Sequence, residues 1–405
     1  MRYEYKKLFS SKLMWFMLLL TLGYMVFLPL REVWANIENN RDLNKAYQAS
    51  AADVKQNDLT VDDLTEMQNE IYQNGLGENS GNYKARYGKN AVGDLYAISK
   101  TIDLMSYVQT GFEQDRRELV KGMLYQNNTE KQKSNPDTYL IAANEKAISL
   151  YNRRVDLRFE STGISPDIHY AIFNYSMWEY VMIALCVLMT VRLFSCEYSS
   201  GAYRCVNTSK KTVQSLFFKK YIAVVSVAVG VLTVQAVFEL VMGACVFGLK
   251  NLSLPIQQIQ MYEYCPYAMS IAQFYLFKFL LKVLAYVTII SLCSLVTALV
   301  KRPLISNIIL LPISAGGLLA NMVLFVKIDN AEKFSLSVLS AYDRLRIFLP
   351  QSLLNFKEYI KKFDCFSLFG HPVSRLSACI FISLVISALC VFLGYKISGR
   401  TRRSA

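Results

Sequence analysis

Three charged residues, Glu239, Lys278 and Lys282, stand inside long apolar runs of this 405-residue chain. A lone charge at the centre of a bilayer costs on the order of 2.5–3.5 kcal/mol on insertion scales, so such residues pair, face water or contact cargo. Glu239 lies roughly nine residues from the end of its run, while Lys278 and Lys282 lie seven and eleven residues into the next. Two runs crossing in opposite directions would then put the carboxylate at a depth bracketed by the two amines. The spacing predicts a Glu239–Lys278 or Glu239–Lys282 pair near the mouth of a substrate pathway. A static pair, or lysines snorkelling to the surface, is the plainer alternative.

A second group is polar and sits between two apolar runs: Glu197, Gly201, Arg204, Lys210 and Lys211. Thr208 and Ser209 can cap a helix there, and the basic residues suit an acidic partner groove. Read as composition alone, the same charges are the basic rim of a membrane protein. Other chemistry is hard to assemble. The two histidines, His169 and His371, are far apart, and the nine cysteines form no CxxC or Cys/His cluster, so no metal site is expected. No Ser/His/Asp or paired-carboxylate arrangement stands out, and no catalytic residue is assigned. No GxxxxGK[ST] phosphate loop occurs, so ATP has no recognisable seat on this chain.

The elements that position these residues follow from the apolar runs. Hydrophobic residues make up 53% of the chain and are concentrated in a few stretches, as in a membrane protein. The expected fold is an all-α integral membrane protein with six transmembrane helices at 13–30, 176–194, 221–248, 271–300, 304–326 and 376–395. An amphipathic interface helix at 1–12 precedes them. A signal peptide is the rival reading of the first run, but its h-region would span only about 7–15 residues. Leu13 to Leu30 is longer, and a retained helix is expected.

Residues 31–168 read as an all-α extracytoplasmic domain, continuous with the first span. Thr60 to Asp63 forms a capping-box pattern ahead of a helix ending at Asn74-Gly75. From Ala91, residues Leu95, Ile98, Ile102, Met105 and Val108 recur at helical spacing. Asn135-Pro136-Asp137 reads as a cap, an N1 proline and an early acid before a helix running to about Phe159. Trp15, Trp34 and Trp178 fall near membrane boundaries, where an aromatic belt explains them. Pro312, Gly316 and Gly317 could form a hinge, although close helix packing is the commoner use of small residues. The glycosylation-type triplet starting at Asn127 is expected to be incidental.

Charge orients the spans. The net +13 is uneven: residues 36–168 hold 16 Lys/Arg against 20 Asp/Glu, and the rest holds 28 against 11. The positive charge therefore borders the apolar runs, which favours a membrane rim over nucleic acid. Under six spans, residues 1–12, the segment 195–220, the Lys301-Arg302 turn and the tail 396–405 share one side, expected to be cytoplasmic with both termini. The helical domain and the segments 249–270 and 327–375 then lie outside.

The stretch Phe194-Ser195-Cys196-Glu197-Tyr198-Ser199-Ser200-Gly201, followed by Thr208-Ser209-Lys210-Lys211 and Lys219-Lys220, resembles the Phe-x-x-Glu-x-x-x-Gly segment of type-2 ABC exporter permeases. The opening Tyr3 to Lys12 is similar to their interface helix. Leu349-Pro350-Gln351-Ser352-Leu353-Leu354 looks like the extracytoplasmic element before their last span. The resemblance implies that 195–220 is a coupling segment seated in a cassette ATPase, with Glu197, Gly201, Arg204, Lys210 and Lys211 as its residues. It implies a non-catalytic permease subunit with ATP and Mg on a partner chain, no cofactor of its own, and a second permease as homodimer mate or sister. The expected cargo is an amphipathic or apolar compound such as a peptide, antibiotic or lipid. A membrane sensor with a helical ligand-binding domain is the alternative, but it would need a cytoplasmic effector domain larger than the loop around 195–220.

Overall fold

A computed structural model describes residues 2–39, 41–74, 76, 84–153, 155, 157, 178–199, 213–247, 252–259, 262–329, 348–355, 357–361, 363–369 and 371–400. The architecture is that of a helical membrane protein. Helix α1 (Arg2–Phe9) is followed by α2 (Lys12–Asn39), and the α1 axis stands at 85° to the Lys12–Phe27 part of α2. Four further segments are long and apolar enough to cross a bilayer: α8 (Trp178–Ser199), α9 (Val213–Phe247), α10 (Ile271–Val300) and α13 (Arg375–Arg400). Counting the bent α1–α2 pair as one span gives five. Helix α11 (Pro303–Asp329) contributes a shorter apolar stretch, Pro303–Gly316.

Helix α10 is the hub, packed by α8, α9, α11 and α13. Its start is fixed by a capping box in which the Ser270 hydroxyl accepts from the Gln273 amide (3.2 Å) and the Gln273 side chain accepts from the Ser270 amide (2.9 Å). It ends on Lys301, which adopts the left-handed conformation (φ 60°) and turns the chain into α11. Gly394 in α13 is needed for close approach, since a Cβ there would stand 2.6 Å from Cζ of Phe217. Helix α11 runs unbroken through Pro312, and a Cβ at Gly316 would meet nothing within 4 Å, so neither a break nor tight packing marks those positions. The side-chain surroundings of Gly317 lie outside the described residues.

The polar region is helical: α3 (Arg41–Asn57), α4 (Val61–Asn74), α5 (Ala91–Ser106), α6 (Phe112–Lys131) and α7 (Thr138–Tyr151). Helices α3 to α5 share a core of Val54, Leu64, Ile71, Ile98 and Met105, with Leu95 and Ile102 against it. Thr60 and Asp63 cap each other as the sequence predicts (2.8 and 3.2 Å). The Asp94 carboxylate, buried, accepts from the amides of Arg86 (2.6 Å), Tyr87 (2.8 Å) and Gly88. Asp53 accepts from the Tyr87 hydroxyl (2.5 Å) and pairs with Arg86 (2.8 Å). The Tyr87 hydroxyl and the nearby Arg86 hold the Asp53 carboxyl below the usual carboxylate value.

Helix α7 departs from the sequence reading. Its N-cap is Asp137, whose side chain accepts from the Leu140 amide (3.0 Å), and it ends at Tyr151 rather than near Phe159. An aspartate in extended backbone is the better cap, which leaves Pro136 one residue outside the helix. Cys186, Cys196, Cys265, Cys293, Cys365, Cys379 and Cys390 form no disulfide among the described residues. The buried Asn127 accepts from the Asn144 amide at 2.9 Å, which fits an incidental triplet.

Beyond the element at 349–354, two regions had no fold assigned from the sequence. Residues 252–259 and 262–270 form a folded cap, with Leu254, Ile256, Ile259 and Tyr262 buried and the Gln257 amide donating to the carbonyls of Cys265 (3.0 Å) and Tyr267 (2.8 Å). Inside 327–375, a turn at Pro350–Asn355 and the short helix α12 (Lys357–Ile360) lead to an antiparallel hairpin, β1 (Cys365–Leu368) with β2 (His371–Ser374). The helical domain docks on both. Tyr107 donates to the Gln257 carbonyl (3.0 Å), Tyr151 to the Tyr264 carbonyl (3.1 Å) and Lys146 to the Pro372 carbonyl (3.1 Å).

Candidate functional site

The structure brings the three intramembrane charges together and adds a fourth. Lys278 Nζ lies 2.6 Å from Glu239 Oε2, as the spacing predicts, and the Gln235 amide donates to Glu239 Oε1 at 2.6 Å. Lys282, one helical turn along α10, pairs instead with Glu179 Oε1 at 2.9 Å. Glu179 also accepts from the Tyr286 hydroxyl. The result is a ladder across three helices: Glu239 and Gln235 from α9, Lys278, Lys282 and Tyr286 from α10, and Glu179 from α8. All four charged residues are buried, and the ladder is formally neutral.

Geometry explains the partner choice. Residues four apart on α10 stack on one face, so Lys278 and Lys282 project side by side and each meets a different neighbouring helix. Glu179 occupies the first turn of α8 and was not singled out in the sequence. Trp178, expected in an aromatic belt, is instead 2% exposed and lies under the Lys282 amine, 4.3 Å from the ring centroid. Trp15 and Trp34 are exposed, as a belt requires. A cation against a tryptophan face and a carboxylate is held by two attractions, which compensates part of its burial.

Beside the ladder a cavity of about 250 Å³ opens between α9 and α10. Glu239, Lys278, Lys282 and Gln235 form its polar wall, and Leu240 and Leu276 belong to its apolar wall. Glu179 stands behind this wall.

At the α1 end of the bundle, Glu197 is a second junction. Its Oε1 lies 2.7 Å from Lys7 Nζ and its Oε2 lies 2.7 Å from Lys220 Nζ, so one carboxylate ties α1, α8 and α9. Lys7 also approaches Glu4 at 3.7 Å. Arg192 reaches the Ser10 hydroxyl at 3.4 Å, and Tyr5 and Ser226 share a hydrogen bond of 2.6 Å. Helix α8 continues through Ser199, past the expected end at 194, and α9 begins at Val213, before the expected 221. Glu197 therefore sits in the last turn of a membrane helix and points inward, with Lys220 buried beside it. Gly201, Arg204, Lys210 and Lys211 lie outside the described residues. Sequence reasoning found Glu197 but missed Lys7 and Lys220 as its partners, because their spacing carries no contact signal.

The element at 350–355 is buried among α10, α11 and α13, and the Gln351 amide donates to the Ser314 carbonyl at 3.2 Å. Among the described residues, no group of three or more His, Cys, Asp or Glu side chains could hold a metal ion. No family model, curated protein or solved structure matches the chain.

Proposed function

We propose that this chain is the membrane-spanning permease subunit of an ABC exporter, driven by ATP and Mg held on a separate cassette ATPase. In this reading the chain crosses the membrane six times, with α11 as the fifth span, both termini in the cytoplasm and residues 31–168 outside. A second permease, identical or related, completes the pathway. The cargo is an amphipathic or apolar molecule.

The observation that carries the reading is the Glu197 junction. A transmission device must be polar, must sit at the cytoplasmic end of a span and must be joined stiffly to more than one helix. One carboxylate bonded to lysines of α1 and α9 meets the first and third needs, and the orientation proposed above supplies the second. Movement of the segment 200–212 by a partner would then reach two spans and the interface helix together. Glu197 is thus a positioning residue on the protein side of the coupling segment, with Gly201, Arg204, Lys210 and Lys211 left to meet the partner. The buried ladder supports the reading from the other end, since membrane-depth charges most often mark pathways.

The test is recovery of the tagged full chain from its native membrane in mild detergent. A co-purifying cassette ATPase is expected, with activity that falls in Glu197→Gln while the complex persists. Purification without any ATPase, under conditions that preserve the folded chain, would overturn the proposal.

A further inference from the structure

We propose that the cavity between α9 and α10 is the headgroup site for an anionic amphiphile that enters sideways from the outer half of the bilayer. This rests on the permease reading and names its class of cargo.

The sign of the charge comes from which groups reach the cavity. Lys278 and Lys282 both line it, but of the two carboxylates only Glu239 does. Glu179 lies on α8, holding Lys282 from behind at 2.9 Å. The residues that line the cavity thus include two lysines and one glutamate, a net positive set in a place poor in water. An anionic oxygen arriving there can share an ammonium proton with each lysine without separating Lys282 from Glu179, because an ammonium has three donors. A cationic ligand would have to displace Lys278 from Glu239 and would stand against Lys282.

The shape argues for a tail. The same cavity is bounded by apolar residues, and the flank around its opening exposes Val234, Val237, Leu240, Leu276 and Leu280. In a bilayer that flank faces acyl chains, so a ligand with a hydrocarbon tail keeps the tail in lipid while the head enters. Depth agrees. Lys278 lies seven residues from the start of α10, or roughly 10 Å at 1.5 Å per residue. That places the amine below the outer surface and short of the midplane. A free inorganic anion would have to cross the apolar flank alone.

The experiment uses the full chain in phosphatidylcholine nanodiscs, with native mass spectrometry counting retained phosphatidylglycerol. Wild type should hold phosphatidylglycerol about tenfold more tightly than added labelled phosphatidylcholine. The double variant Glu179→Gln/Lys282→Gln removes both partners of the other pair, leaves the wall neutral with Lys278 against Glu239, and should lose most of that preference. Val237→Trp, which narrows the mouth and touches no charge, should lose it as well. Basic residues at the other end of the bundle can bind the same lipid in every variant, so the difference between variants is the readout. Equal retention of both lipids by wild type would overturn the proposal, as would full preference in both variants. Displacement of the lipid by millimolar inorganic phosphate would also overturn it, because the tail would then be irrelevant. Recovery of the ATPase is a separate measurement, so either idea can fail while the other stands.

Discussion

The chain solves the same problem, a carboxylate next to a cation, in two different media. In the membrane bundle, Glu239, Lys278, Lys282 and Glu179 are each no more than 8% exposed, and each is matched to an opposite charge. In the helical domain, Lys89–Asp42 and Arg117–Glu113 are pairs whose side chains are all more than half exposed. Water screens the second set and supplies alternative partners, so the domain is held by its apolar core and by backbone caps. In hydrocarbon there is no alternative, and pairing becomes a condition of folding. Those exposed pairs decorate the domain's helices, whereas charges in the bundle decide which helices touch.

That contrast is sharpest in Lys278→Ala. It strands Glu239 in the bundle and should destabilise the protein by about 3–5 kcal/mol, as loss of one member of a buried pair does. Thermal unfolding in detergent reads the loss, and Glu239→Gln/Lys278→Gln should recover most of it. Equal damage in the single and double variants would mean that the pair is not the cause.

Glu197→Gln should cost less. It gives up two charge-assisted hydrogen bonds, each worth about 1.5–3 kcal/mol when fully made, but glutamine retains part of the geometry. Hydrogen exchange should accelerate in α1 and the end of α8 while α10 stays protected. Uniform acceleration would assign Glu197 to general stability instead of a local junction.

In the domain, Asp94→Asn keeps one acceptor oxygen and should cost about 1–2 kcal/mol, read as faster exchange in α5 and the turn at 86–88. A smaller effect belongs to Asp53. Its folded value lies below the ordinary one because Tyr87 donates to it, with Arg86 assisting. The contribution is therefore present above the unfolded value of about 3.9 and is lost as pH falls through the lower folded value. Wild type and Tyr87→Phe should differ in α3 protection near neutral pH and converge in acid. A difference that persists unchanged in acid would show that the ring's packing matters and the carboxylate does not.

The sequence disclosed most where physics leaves one solution. Counting residues from the ends of two apolar runs placed Glu239 beside Lys278 or Lys282, because membrane depth is a ruler, and the structure selects Lys278. The reciprocal cap at Thr60 and Asp63 was equally legible, since both partners lie within one turn. Glu179 was missed because it stands at the start of its helix, where a charge usually meets water. The fold of residues 252–259 and 262–270 was missed because their apolar residues follow no regular period, although Ile256 and Tyr262 are fully buried. The hairpin at 365–374 was hidden by Pro372, a residue that argues against a strand, here at an edge with a single partner. The inward turn of Glu197 depends on lysines 190 residues upstream and 23 downstream, beyond any local pattern.

The central claim is that the α1 end of the bundle faces the cytoplasm and the helical domain faces out. In a variant whose native cysteines are replaced by serine, single cysteines at Lys210 and at Gln126 can be labelled on intact cells with a thiol reagent that does not cross lipid. The account predicts reaction at position 126 and none at 210 until the membrane is opened. Labelling at 210 in intact cells, with 126 protected, would contradict it.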